Sequence, residues 1–540
     1  MNRSLNLGAA RPAAPLWREW RWSYLPPLMV YLAAGIQGLT GIVGTFFVKE
    51  YLDLSAEFLA ALGFWLGIPW ALKMPIGHLV DVVWRHKAWL IVLGASLITA
   101  SLLIMAALIG ARDSMAALWP VNAWFVLSAL LAPIGYVVQD AVADAMTAEA
   151  VPQVDDEGKP LAPARIRAMH VTMQTLGRVS LIGGTVLVAL INLAVFADAA
   201  NLPAANKVAT YRNVYLMALA IPVVSVLGIA LEAWLRRQRV RQHMARGLNQ
   251  AQAYALVAPA APAIPPNPWI LGGSVVFVVF TVGVGLSGWR HSQELIFVGS
   301  LGIVGFLMSR LVGQLSPEAR RTLLGTALVV FMFRATPGTG AGVSWWSIDV
   351  LGFDQAFFSV LSLVASCLTL VGMLVFRRFM AERSIFYITG WLTLAGFVLS
   401  LPNLGMSLGL HDWTAAHTGG LVDARFIALV DTAIESPLGQ ISMIPLLAWI
   451  ANAAPAHLKA TYFAVMTSFA NLALSAGQLG TKYLNQWFVI TREVRDASGQ
   501  VSVAANYSDL PALLMSAMGL GLLLPLLAIA VAMALRWRSA

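Results

Sequence analysis

Two aspartates, four residues apart, interrupt an otherwise apolar segment: Asp140 and Asp144 in YVVQDAVADAMTAE, residues 136–149. On a helix, residues at this spacing share a face, and in lipid that face should look at a cavity or at other helices. Asp431 and Glu435 repeat the spacing in ARFIALVDTAIESPLGQISMIP. Two arginines stand in equally apolar surroundings, Arg178 in MHVTMQTLGRVSLIGG and Arg334 in LLGTALVVFMFRATPGTGAGVSWW. Arginine keeps its proton in practically any protein setting, so each needs an anion from the protein or from a solute. Gln37, Gln174 and Gln478 add amides in the same kind of surroundings. Fixed cations, acids and amides together suit the binding of an organic anion and the movement of a proton. They do not suit covalent catalysis: no nucleophile motif stands out, and the eight histidines have no metal-ligand spacing. The chain therefore reads as a non-enzyme without a cofactor or metal.

The elements that position these residues must lie in lipid. The chain has 540 residues, 59% of them hydrophobic and 11% charged, with mean hydropathy +0.74. Residues 88–110, AWLIVLGASLITASLLIMAALIG, carry no charge, and about 20 such residues cross a bilayer as a helix. A charge at the bilayer centre costs about 3 kcal/mol, so the acids and arginines should face a cavity or one another. Hydropathy places fourteen spans, at 24–47, 56–80, 88–110, 119–148, 168–196, 212–235, 268–288, 292–313, 323–346, 355–379, 385–402, 421–451, 459–487 and 510–535. With the N-terminus inside, the inside loops, tails and adjoining span ends hold 22 of the 35 Lys and Arg, against nine outside. That bias puts both termini in the cytoplasm and accounts for the net charge of +9 as topology, without a nucleic-acid partner. The N-terminal residues have no apolar core or cleavage site, so the first span is itself the insertion signal. The lone Cys367 can form no internal disulfide.

A shift of 299 residues lays YLDLSAEFLAAL (51–62) on VLGFDQAFFSVL (350–361); both follow a glycine-rich helix and open the next. The layout is a tail (1–23), a six-helix bundle (24–235), a cytoplasmic linker (236–267), a two-helix insert (268–313), a second six-helix bundle (323–535) and a short tail (536–540). Repeated halves of this kind are common in secondary transporters, with the solute site between the repeats. PGTGAG (337–342) lacks the Lys-Ser/Thr of a phosphate loop and reads as a broken helix. The glycines around Gln37 are read as close helix packing or ligand contact, and Trp345 and Trp346 as aromatics at the outer interface.

Residues 77–87, GHLVDVVWRHK, resemble the cytoplasmic signature of the major facilitator superfamily, with Asp81 and Arg85 as a charged latch at an inner gate. Asp144 is assigned to that gate as a partner for Arg85 or Lys87, and Asp140, one turn deeper, to proton coupling together with Asp431. Three stretches then resemble one branch of the superfamily, the folate–biopterin transporters: VVQDAVADAMTAE, FRATPGTGAGVSWWSIDVLGF, and the long run from Leu429 to Gly480. The resemblance implies an all-α membrane protein of major facilitator type that moves folates, pterins or related small organic anions, coupled to protons. It also carries Gln440 over as a motif position beside Asp140, Asp144 and Asp431. Arg178 and Arg334 can then meet the solute's carboxylates bidentately, with Gln37, Gln174, Glu435, Gln440 and Gln478 around them. The protein is expected as a monomer in a bacterial-type inner membrane, its partners being the solute and the bilayer. The QD-x3-DA pattern of span four is also similar to that of bacterial muropeptide permeases. A non-transporting assembly factor is a further alternative; a membrane-embedded enzyme lacks the catalytic His or Cys it would need.

Overall fold

A computed structural model describes residues 21–52, 54–71, 73–83, 86–152, 161–197, 203–257, 268–287, 289–312, 316–376, 379, 383–438, 459–495 and 501–537. Among these the chain is almost wholly helical, as lipid requires of a chain whose backbone polar groups must be satisfied internally. The first part contains α1 (Leu25–Ile36), α2 (Gly41–Tyr51), α3 (Ala56–Ala71), α4 (Lys73–Val82), α5 (Lys87–Gly110), α6 (Arg112–Leu118), α7 (Val121–Ala150), α8 (Pro163–Phe196), α9 (Ala204–Ala218) and α10 (Ala220–Ala245). Then come α11 (Gln250–Val257), α12 (Pro268–Leu286) and α13 (Ser292–Val312). The last part contains α14 (Pro317–Arg334), α15 (Gly342–Asp349), α16 (Gln355–Val375), α17 (Ile385–Leu399), α18 (Leu401–Ser407), α19 (Leu410–His417), α20 (Ala424–Glu435), α21 (Lys459–Trp487) and α22 (Leu510–Ala534).

Eight of the described helices are long and apolar enough to cross a membrane, against the fourteen spans expected; Ala56–Ala71, Val275–Gly285 and Ser292–Phe306 are shorter apolar helices. The span expected at 421–451 is described only as far as Leu438. The basic run that opens the expected linker at 236 continues α10, helical to Ala245. Strand patterning is not expected, yet a small antiparallel hairpin, β1 (Val494–Arg495) and β2 (Val501–Val503), stands in the loop after α21.

Two helices of the expected kind are broken. The first span divides into α1 and α2 around a 3-10 turn at Gln37–Thr40. The ninth stops at Arg334 and resumes at Gly342, because Pro337 cannot extend a helix and Gly340 takes φ +73°, a left-handed conformation open to glycine. Under the 299-residue shift the two breaks fall on one another.

The same shift explains the seam between the two parts. It carries Ala56, the first residue of α3, onto Gln355, the first residue of α16, and carries α8 onto α21. Among the described residues the parts meet chiefly along α3 with α21 and α8 with α16, and the repeat exchanges one pair for the other. The α3–α21 contact is close because small residues face it. A Cβ on Gly63 would lie 2.6 Å from Gln478 Oε1, and one on Gly67 2.8 Å from Ser475 Oγ. Asn471 Nδ2 donates to the Trp70 carbonyl at 3.1 Å. The insert braces this seam from outside: Gln293 of α13 donates to the Ala61 carbonyl of α3 at 3.0 Å, while Glu294 takes Lys482 of α21 at 3.1 Å.

Candidate functional site

Asp140 and Asp144 lie one turn apart on α7, and both turn toward α4. Lys73, the first residue of α4, stands between them with Nζ 2.6 Å from Asp140 Oδ2 and 2.7 Å from Asp144 Oδ2. Tyr31 of α1 donates its hydroxyl to Asp144 Oδ1 at 2.6 Å. Arg178 of α8 is near enough to act electrostatically on both carboxylates. Four helices thus contribute to one charged cluster. Glycine admits α1 and α8 to this packing: the ring of Tyr31 lies 3.1 Å from where a Gly177 Cβ would be, and a Gly35 Cβ would lie 2.1 Å from the Leu181 carbonyl oxygen. That glycine of span one is therefore a packing residue, whereas Gly38 and Gly41 have open space beside them.

The sequence reading gave Asp144 to Arg85 or Lys87. The structure gives it other partners. Lys87 is buried and pairs at 2.7 Å with Glu232 of α10, which also holds Arg236 at 2.6 Å. Asp81 lies on α4, with a side chain outside the description, and Arg85 lies outside the described residues. Gln174 is on α8, again with an undescribed side chain, and Gln440 lies outside the described residues.

The last part of the chain arranges its polar groups differently. Arg334 is the final residue of α14, where a cation meets the negative end of the helix dipole, and its Nε donates to the Ala470 carbonyl of α21 at 3.1 Å. Beyond it the broken segment lies against α21. A Cβ on Gly477 would be 3.0 Å from the Thr336 carbonyl oxygen, and one on Gly480 2.9 Å from Pro337. The Gly338 amide donates to Thr481 Oγ1 at 2.8 Å. Asp431 of α20 is buried; Asn403 Nδ2 donates to its Oδ2 at 2.8 Å, and its Oδ1 has no hydrogen-bond partner among the described residues. Glu435 is exposed at the end of α20, as are Gln37 in its 3-10 turn and Gln478 on α21. Arg178 and the acids of α7 thus form one group. Arg334 and Asp431 each have their own partners.

Two residues that the sequence reading passed over matter most here, Lys73 and Tyr31. The signal for Lys73 was available, a cation within the apolar span 56–80, but no role was assigned to it. Trp345 and Trp346, expected at the outer interface, are buried instead, and the Arg492 guanidinium lies 5.2 Å from the Trp345 ring centroid.

Residues 272–535 match the BT1 family. A folate–biopterin transporter of Synechocystis sp. is 28% identical over 192 residues, which is 35% of this chain and 37% of that protein. Over that stretch the chain is similar to a folate–biopterin transporter. Aligned residues thus cover little more than a third of this folate–biopterin relative's length. Its fold is similar to that of solved peptide transporters. A POT family transporter in complex with a thioalcohol-conjugated peptide has TM-score 0.57 at 12% identity, covering 95% of each chain. A mutant peptide transporter POT in complex with alafosfalin has TM-score 0.59 at 16% identity, covering 96% of this chain and 94% of that structure. These likenesses bear out an all-α fold of major facilitator type.

Proposed function

We propose that this multi-pass membrane protein is a secondary active transporter of a small organic anion, folate- or pterin-like, working by alternating access and coupled to protons. The halves are residues 24–235 and 323–535, with 268–313 inserted and both termini in the cytoplasm of a bacterial-type inner membrane. The observation that carries the reading is Lys73 shared between Asp140 and Asp144 in a chain related to folate–biopterin transporters.

Two carboxylates sharing one ammonium can take up a proton without stranding a charge. Protonating either acid leaves Lys73 paired with the other, so proton binding becomes an exchange of partners. An unpaired buried charge would be far more costly. Tyr31, tied to Asp144 from α1, and Arg178, on the seam helix α8, connect that exchange to the helices that must move. In the other half, Arg334 at a broken helix is suited to a carboxylate, and the unpartnered Oδ1 of Asp431 to the amino edge of a pterin ring. Glu435, Gln37 and Gln478, exposed on otherwise apolar helices, fit a water-filled path between the halves.

The test is uptake into proteoliposomes of labelled folate, biopterin and a muropeptide, with and without an inward proton gradient. Gradient-dependent uptake of folate or biopterin is the expected result. Muropeptide uptake alone would favour the permease reading, and uptake of none would return the chain to the non-transporting alternative.

A further inference from the structure

At one end of the α3–α21 seam lies a cavity of about 770 Å³, a volume within the usual range for small-molecule sites. Both halves and the insert build it. Ser55 and Glu57 come from the start of α3, Asn485 and Gln486 from the end of α21, and Arg290 from the turn between α12 and α13. Trp345 and Arg492 also line it. The Arg492 guanidinium is committed across the seam: Nε donates to the Lys49 carbonyl and Nη1 to the Leu54 carbonyl, each at 2.7 Å. Its other face is stacked on Trp345. These two residues form a floor tied to both halves, which must part for anything to pass.

The remaining lining chemistry selects by charge. Glu57 is occupied by Gln486, which donates to it at 2.6 Å. Arg290 is exposed, and no carboxylate among the described residues forms an ion pair with it. Asn485 is 4% exposed; its Nδ2 donates to the Thr481 and Thr339 carbonyls, while its Oδ1 has no partner among the described residues. One available cation on the rim and one unmet acceptor near the floor, in a hollow of mixed apolar and polar lining, suit a small anion that also carries an N–H donor.

We infer that this cavity is a docking site at the mouth of the seam, separate from the charged cluster on α7. Arg290 takes the carboxylate of a small organic anion, and Asn485 Oδ1 becomes its acceptor once the Arg492–Trp345 floor opens. The inference rests on the transport reading for its choice of ligand. It is tested by binding as well as by uptake.

In a Cys367→Ser background, Ser55→Cys places one thiol in the cavity wall. The full-length protein in detergent is treated with a bulky thiol reagent, with folate as the probe. Folate should slow the labelling, and adding Arg290→Ala should abolish that protection. In proteoliposomes, Arg290→Ala should raise KM for folate about tenfold or more, the effect of losing one charge-assisted hydrogen bond. kcat should be nearly unchanged, Arg290→Lys should restore most of the loss, and biopterin, which has no carboxylate, should be unaffected. Labelling that folate does not slow, or protection that survives Arg290→Ala, overturns the docking site. The labelling needs no transport, so it decides the site even if the wild-type protein carries neither solute; absent uptake would instead overturn the transport reading.

Discussion

The 299-residue shift carries Lys73 onto Gly372, and the two halves use that crossing in opposite ways. In the first half the crossing helices stand apart and are bridged by charge, Lys73 of α4 reaching two carboxylates of α7. In the second, α16 lies against the chain just after α20 so closely that a Cβ on Gly372 would be 2.2 Å from the Pro437 carbonyl oxygen. One crossing depends on a protonation state. The other depends on the absence of a side chain and is insensitive to pH. Repeated topology therefore does not imply repeated chemistry.

Four substitutions sharpen that contrast, beginning with the largest effect. Lys73→Ala leaves two carboxylates in the membrane region without their cation; removing one partner of a buried pair costs about 3–5 kcal/mol. Thermal unfolding in detergent should show that loss, and Lys73→Ala with Asp144→Asn should recover part of it. Full stability of the single variant would mean that the cluster is not a structural ion pair. Gly372→Ala forces α16 from the Pro437 backbone, and overpacking of this kind costs about 1–3 kcal/mol. Here no second substitution of a charged residue should rescue, whereas the Lys73 loss should be rescued by charge alone.

Arg334→Ala removes a charged hydrogen bond to the Ala470 carbonyl, worth about 1.5–3 kcal/mol at most, with the helix-end position remaining. Uptake should be abolished while membrane insertion is intact; normal uptake would remove Arg334 from the solute path. The smallest stability change is expected for Asp431→Asn, which can still accept from Asn403, so the unfolding midpoint should hold within about 1 kcal/mol. If Asp431 takes part in coupling, that variant loses the dependence of uptake on the proton gradient. A retained dependence leaves coupling to the α7 pair.

On the face that carries the cavity, Lys49 of α2 forms an ion pair with Asp349 of α15, and Tyr507 donates its hydroxyl to the same carboxylate. Burial and the Asp349 carboxylate raise the Tyr507 hydroxyl well above its usual pKa. A raised pKa means the bond is complete below the ordinary tyrosine range and is lost only at still higher pH.

Much of the molecule was legible in the sequence. Helical class, the broken helix at Pro337 and the repeat follow from local composition, because a chain in lipid must satisfy its backbone within each segment. The acids of α7 and the arginines stood out for the same reason, since charge in an apolar span is costly. Which charges meet could not be read there. Lys73 and Asp140 are 67 residues apart and Tyr31 and Asp144 are 113 apart; those pairings depend on how α4 and α1 cross α7. Likewise Arg492 reaches the Lys49 carbonyl across 443 residues. The sequence by itself determined where charge is buried, since burial cost is a property of each segment. Only the tertiary structure decided what each charge touches, since partners are set by how the helices cross.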